Sequence, residues 1–414
     1  MARHVFLVTL QSSDHVIVVG AGLAGWRAVE FLRAEGYDGA ITLIGDETHA
    51  PYDRPPLSKQ VLSGRWDVSK STLATPEKIA DSDATVLLGD RAVALDVEST
   101  TVELASGKRI TGTHVVIATG ARARPLSYPS SGELMTLRNY DDALRLSQTL
   151  AGLAPESVVV IIGGGFIGGE AATSIKARGL VPIVLEAAER PLITVLGDEV
   201  SSWLLLMAEP AGIDLRTRQR IRDVAVSEHG ATVLLDDGEA IEASAVLAAV
   251  GSAFDLEWLA SSGLTLDGGI LVDRNFEAAP HVAAIGDVAK FPLRGVDGDE
   301  LVRIEHWQLA VEHALELARY WMSDERAIVP MVPYFWSDQM GRKIQLLGHP
   351  RPSDDVTLVE GSPEELKWLA LYSRHGLVTG VVALSNPRGL TKSRPVLNDV
   401  MTLEDALALA PWAS

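Results

Sequence analysis

Two stretches carry the residues best suited to chemistry: VIVVGAGLAGWRAVEF, from Val16 to Phe31, and VVIIGGGFIGGEAATS, from Val159 to Ser174. Each is a β-branched run, then Gly-x-Gly-x-x-Gly, then a helix-like stretch. The glycines are Gly20, Gly22 and Gly25 in the first copy and Gly163, Gly165 and Gly168 in the second. In such a motif the first glycine permits a tight turn out of a strand. The second lets a pyrophosphate approach the backbone, and the third lets helix and strand pack closely. The residues between the second and third glycines, Leu23 and Ala24 or Phe166 and Ile167, lead into each helix, whose N-terminus would offer N–H groups and a partial positive charge to phosphates. Strand before and helix after is the context a dinucleotide site needs.

A carboxylate at the end of the next strand would complete such a site. Glu186, ending PIVLE, is placed to accept from a ribose diol and to repel a 2′-phosphate, which favours NADH over NADPH. Arg190, just beyond, could instead meet that phosphate. In the first copy the matching position is Gly45, followed by Asp46 and Glu47; Glu47, then Asp46, is the expected ribose ligand. Two further pieces end apolar strands in small residues. VVIATG closes in Ala118, Thr119 and Gly120. HVAAIGDVA sets Gly286 and Asp287 ahead of a helix-like segment, with the Asp287 carboxylate able to hold sugar hydroxyls. Gly251 ends the last strand of the second copy as Gly120 ends that of the first.

The elements that must position these residues alternate between strand and helix, which points to parallel α/β architecture. His15–Val19, Ala40–Ile44, Val158–Ile162, Pro182–Leu185 and Ala245–Val250 read as strands. Ala24–Glu35 and a stretch from about Gly168 to Arg178 read as helices. Each copy continues through β-rich pieces that turn at ASGKR or DDGE, so the repeat is a whole dinucleotide-binding unit. From about Val329, past Pro330 and Pro333, short strands follow: Lys343–Leu347, Thr357–Glu360, Leu366–Ser373 and Val378–Leu384. The expected fold class is α/β, with two Rossmann-like dinucleotide-binding domains and a C-terminal α+β domain. The first domain is discontinuous, residues 1–120 and 252–328; the others span 121–251 and 329–414.

A net charge of −19 over 414 residues argues against a nucleic-acid partner. The chain has no cysteine, which excludes disulfides, catalytic thiols and thiolate metal or cluster ligation. No metal site is expected. No apolar run reaches membrane-spanning length. The first residues, MARHVFLVTLQSS, lack a secretory h-region and cleavage site, and read as an extension ahead of the first strand of a cytoplasmic protein.

With PYDRPPLSK (Pro51–Lys59), GGGFIGGE (Gly163–Glu170), AIGDVA (Ala284–Ala289), VRIEHW (Val302–Trp307) and PYFWSDQ (Pro333–Gln339), the chain resembles a known family. It is similar to the oxygenase-coupled NAD(P)H:ferredoxin reductases of the putidaredoxin, rhodocoxin and biphenyl dioxygenase reductase type. These are two-dinucleotide flavoproteins, glutathione-reductase-like in architecture. The resemblance runs from about Val16 to about Leu390. It implies FAD in the first unit and NAD in the second, so a hydride passes from one dinucleotide to the other.

The same resemblance implies an ion pair between Lys59 and Glu170 near flavin and nicotinamide, with both residues catalytic. It implies Arg54 on the FAD phosphates, and Arg122, Glu305, His306, Trp307 and Trp336 in segments bordering the cofactor. Without cysteine, the disulfide-reductase and thiol-peroxidase activities of the wider fold are excluded. Electrons must then leave from the flavin, which fits a 2Fe–2S ferredoxin serving a cytochrome-type monooxygenase or a ring-hydroxylating dioxygenase. Arg303, Arg342 and Lys343 are the expected docking cations on a monomer or weak dimer. Alternative expectations are rubredoxin reduction and an NADH-sensing flavoprotein. Three positions depart from the family pattern: Thr194 for an arginine, Pro210 where a helix usually continues, and Gly251-Ser252-Ala253-Phe254-Asp255 for Gly-x-x-Pro-Asn.

Overall fold

The computed structural model describes residues 9–323 and 332–413. The first eight residues of the expected N-terminal extension, and the expected boundary at Val329 and Pro330, lie outside the described residues. The chain divides into two compact units. One takes the described parts of Met1–Asp53, Thr72–Ala121 and Phe254–Met331; the other takes Arg54–Ser71, Arg122–Ala253 and Val332–Ser414.

In the first unit a six-stranded sheet runs Glu277–Ala279, Val282–Ala284, His114–Ile117, His15–Val19, Ala40–Gly45, Ala84–Leu88. The pairs are parallel except at the Glu277–Ala279 edge. Val16 to Val19 are all buried, a continuous rather than alternating apolar run, as a parallel strand covered on both faces requires. The helices Leu23–Ala34 and Trp307–Met322 pack together, burying Trp26, Val29, Leu317 and Trp321. The segment after Gly286 is not helical as expected. A single 3-10 turn, Gly286–Val288, leads into a hairpin of Ala289–Gly295 and Gly298–Val302.

In the second unit a parallel sheet runs Asp214–Arg216, Val181–Leu185, Val158–Ile162, Ala245–Ala248. The helix Phe166–Ala177 opens directly from its second glycine motif. Past the helix Ile193–Leu204, the chain makes one 3-10 turn and a single α-turn, Ala208–Ala211, that contains Pro210. The C-terminal part is an antiparallel sheet ordered Tyr334–Gln339, Arg342–Gly348, Leu377–Leu384, Lys367–Arg374, Asp355–Ser362, closed by short helices. Of its three inner strands, Lys367–Arg374 and Leu377–Leu384 are almost wholly buried. The edge strand Tyr334–Gln339, quoted above as a motif, was not expected to be a strand.

The two glycine copies repeat bond for bond. Gly20 N–H donates to Ile44 O at 2.8 Å and Gly163 N–H to Leu185 O at 2.8 Å. Ala118 N–H donates to Val19 O at 2.7 Å and Ala249 N–H to Ile162 O at 2.8 Å. Gly45 is therefore the positional counterpart of Glu186.

Candidate active site

In the first unit, Gly20, Ala118, Ile285 and Gly45 all stand at the carboxyl ends of adjacent parallel strands, where open α/β sheets bind ligands. Gly20 has φ 115°, and a Cβ there would lie 2.3 Å from Ala118 O. A Cβ on Gly25 would lie 1.9 Å from Gly20 O. A Cβ on Gly22 would meet nothing within 4 Å among the described residues, so the approach to the helix end is open. That helix has no side-chain cap and no acidic residue in its first turn, leaving its N–H groups facing outward. Thr119 Oγ1 is buried without a hydrogen-bond partner among the described residues. Gly286 packs against Ala24 of the helix start, and so brings Asp287 to the same end of the sheet. These residues fit a dinucleotide pyrophosphate.

Gly286 N–H donates to His313 Nδ1 at 3.3 Å. His313 is fully buried between Phe276 and Phe291, and desolvation pushes its pKa down to about 3. It is thus a neutral imidazole whose accepting Nδ1 places the proton on Nε2. Glu47 accepts from Tyr52 OH at 2.7 Å, while Asp46 is exposed.

The second unit repeats the cradle. A Cβ on Gly163 would lie 2.4 Å from Ala249 O, one on Gly168 would lie 2.0 Å from Gly163 O, and one on Gly165 would meet nothing within 4 Å among the described residues. The helix is again uncapped, with no acid in its first turn. Glu186 Oε2 accepts from Gly164 N–H and Oε1 from Ala188 N–H, both at 2.7 Å. Its carboxylate is thereby fixed at the mouth of the cradle.

One turn along that helix, Glu170 is 4% exposed. Its Oε2 accepts from Lys59 Nζ at 2.7 Å and from Ser58 Oγ at 2.5 Å; its Oε1 accepts from Ser337 Oγ at 2.6 Å and Asp338 N–H at 3.2 Å. The expected Lys59–Glu170 ion pair is present. Ser58 and Ser337 are partners that sequence reasoning missed, although both lie inside quoted motifs. Lys59 sits on a single π-helical turn, Leu57–Val61. Ser174 Oγ donates to Ser58 O at 2.6 Å and Arg178 Nε to Leu62 O at 2.5 Å, pinning that turn to the glutamate's own helix. The edge strand is fastened to the same helix. Met340 N–H donates to Thr173 Oγ1 at 2.6 Å, Phe335 lies against Phe166 at 4.3 Å between ring centroids, and Gln339 fills the space a Cβ on Gly169 would need.

The pyridine nucleotide-disulphide oxidoreductase family matches residues 14–314, and the reductase C-terminal family matches residues 334–412. The chain belongs to the pyridine nucleotide-disulphide oxidoreductases. Within that family it is 32% identical to the ferredoxin–NAD(+) reductase subunit of the benzene 1,2-dioxygenase system of Pseudomonas putida, over 95% of this chain and 94% of that one. It is 32% identical to rhodocoxin reductase of Rhodococcus erythropolis, over 94% and 90% of the two chains. Among solved structures, the covalent putidaredoxin reductase–putidaredoxin complex matches with a TM-score of 0.88 and 28% identity, covering 98% of this chain and 100% of that one.

The remaining sequence candidates of this oxidoreductase are placed as follows. In the first unit Trp307 opens its helix behind His306 and donates Nε1–H to Asp53 at 2.7 Å. Glu305 pairs with Arg303 at 2.8 Å, and the Arg303 guanidinium lies 4.1 Å from the centre of the Phe254 ring. In the second unit the Arg54 carbonyl accepts from Leu57 N–H at 2.9 Å. Arg122 pairs with Ala253 in a two-residue ladder, and Gly251 O accepts from Arg124 N–H at 2.9 Å. Trp336 stacks on Tyr334. Ile167 is 37% exposed beside the open glycines. Arg342 is exposed, and Lys343 pairs with Asp338 at 2.8 Å.

Proposed function

We propose that the chain is an FAD-dependent NADH:ferredoxin oxidoreductase, passing electrons to a 2Fe–2S ferredoxin that serves a cytochrome-type monooxygenase or a ring-hydroxylating dioxygenase. One observation carries the reading. Two phosphate cradles of the same construction occur in one cysteine-free chain, and the helix of the second carries a buried glutamate paired with a half-buried lysine. Bound FAD supplies the ability to accept a hydride from NADH and to release electrons one at a time.

The chain's own residues do the rest. Gly20, Gly22, Gly25 and the 118–120 turn hold FAD, with Asp287 and Glu47 toward its sugar hydroxyls and Arg54 toward its phosphates. Gly163, Gly165, Gly168 and Glu186 hold NADH. Lys59 offers a cation to the electron-rich reduced ring, and Glu170 fixes where that cation stands. Arg303, Arg342 and Lys343 meet the ferredoxin; the first and last already sit in partly exposed ion pairs that another carboxylate can replace. The domain division is 1–120 with 252–328 for FAD, 121–251 for NAD and 329–414 for the C-terminal domain. The protein acts in the cytoplasm as a monomer or weak dimer.

The test is NADH-driven cytochrome c reduction by the purified flavoprotein, with and without a 2Fe–2S ferredoxin, and with NADPH as control. A large ferredoxin-dependent rise with NADH supports the reading. Flavin reduction by NADH with no ferredoxin-dependent rise in cytochrome c reduction overturns it in favour of another acceptor such as rubredoxin.

A further inference from the structure

The segment after Glu186 runs beside residues 216–219. Glu186 N–H donates to Arg216 O at 2.8 Å, Gln219 N–H to Glu186 O at 2.9 Å and Arg218 N–H to Ala188 O at 2.9 Å. Ala188 is the same residue whose N–H holds Glu186 Oε1. Arg218 has φ 57°, a left-handed conformation that an arginine keeps only when its surroundings impose it. Those backbone bonds set Arg218 beside the strand end that carries Glu186, where its side chain reaches Glu189. Arg190, four residues beyond Glu186, brings a second guanidinium.

Arginine beside this strand end is what accommodates a 2′-phosphate in place of a free hydroxyl. Both guanidinium groups are already engaged. Arg218 Nη2 meets Glu189 Oε1 at 2.6 Å; Arg190 lies 3.7 Å from the same Oε1 and bonds Asp198. Among the described residues, Glu189 is the one carboxylate common to both arginines.

We propose that Glu189 is a specificity-determining residue, which occupies Arg218 and Arg190 and so keeps a built 2′-phosphate site closed to NADPH. The inference rests on reading the second glycine motif as the nicotinamide nucleotide site. Glu186 repels the 2′-phosphate directly; Glu189 removes the cations that would otherwise compensate. With Glu189→Gln, Arg218 is released while Arg190 keeps Asp198. With Asp198→Asn added, Arg190 is released as well.

The test measures binding of 5′-AMP and of 2′,5′-ADP, which adds the 2′-phosphate, to the FAD-loaded full chain by calorimetry. The ratio of the two dissociation constants should shift toward 2′,5′-ADP by about fivefold in Glu189→Gln, and by about as much again with Asp198→Asn added, at one exposed ion contact per released arginine. The gain should shrink with added salt. Arg218→Met in the Glu189→Gln background should abolish the first gain. An unchanged ratio in both variants overturns the proposal. So does a gain that survives Arg218→Met, because Glu189 then acts by repulsion alone. If the parent chain binds neither 5′-AMP nor NADH, the nucleotide-site reading itself falls and the inference falls with it.

Discussion

Ser337 donates its hydroxyl to Glu170 Oε1 at 2.6 Å, on the oxygen opposite the one Lys59 and Ser58 share. A carboxylate taking four donors can only accept, and its plane cannot turn without breaking one of them. Two segments far from Glu170 and from each other in sequence thus fix one side chain.

Ser337→Ala leaves Oε1 with the longer Asp338 bond alone. The loss should cost about 1–3 kcal/mol of stability. It should slow NADH-driven flavin reduction about tenfold while moving NADH affinity much less, because it tilts the ion pair rather than the phosphate cradle. Stopped-flow flavin bleaching with a denaturant titration checks both, and Ser337→Thr should restore most of the rate.

Lys59→Met strands a buried carboxylate without its cation. A loss of about 3 kcal/mol is expected, whereas the double change Lys59→Met with Glu170→Gln should recover much of it. Urea unfolding of the four species of this cycle gives the coupling. If the losses of the two single variants simply add up to that of the double variant, the pair contributes nothing.

Gly25→Ala and Gly168→Ala should separate the two cradles. Each new Cβ would collide with backbone at 1.9 Å or 2.0 Å. Gly25→Ala should yield protein depleted of FAD. Gly168→Ala should remain yellow but lose NADH binding. Flavin content of the purified protein and nucleotide titration distinguish the outcomes.

His114 is buried against His281 and Trp321, and desolvation followed by repulsion from His281 lowers its pKa from 6.5 to about 4. The unfolded chain therefore binds a proton that the folded chain refuses between these values. Stability from this site is lost as pH falls from about 6.5 toward 4. Glu277, raised to about 7 by burial and Asp273, acts in the opposite sense, losing stability as pH rises toward 7. His114→Gln should therefore shift the slope of unfolding free energy against pH toward negative values across the acid window, leaving the Glu277 contribution unopposed by His114. An unchanged slope would rule out His114 as its source.

The glycine copies and their strands were legible because a run of buried β-branched residues ending at glycine has few other readings. His15–Val19 and Val158–Ile162 lie where expected. The Lys59–Glu170 pair came through resemblance alone, since 111 residues separate its members and no local pattern joins them. Ser337 lies 167 residues from Glu170, and Ser58 sits on a π-turn that leaves no periodic trace in Pro55-Pro56-Leu57-Ser58. The Gly286 segment was misread because Val288 and Ala289 suit a helix start as well as a strand. Pro292 within that strand fits the hairpin. Arg218 could not be judged from spacing, because only the backbone path of residues 216–219 brings it to Glu189.

The strand Tyr334–Gln339 has a consequence for recombination. Its residues finish the surroundings of a glutamate that another part of the chain supplies. A chimera that exchanges residues 332–413 with those of a relative is therefore not modular: it needs a hydroxyl at position 337 and a side chain at 339 that tolerates Gly169. Where those two match, a graft should work; where they do not, a well-folded hybrid should still hand over its hydride poorly.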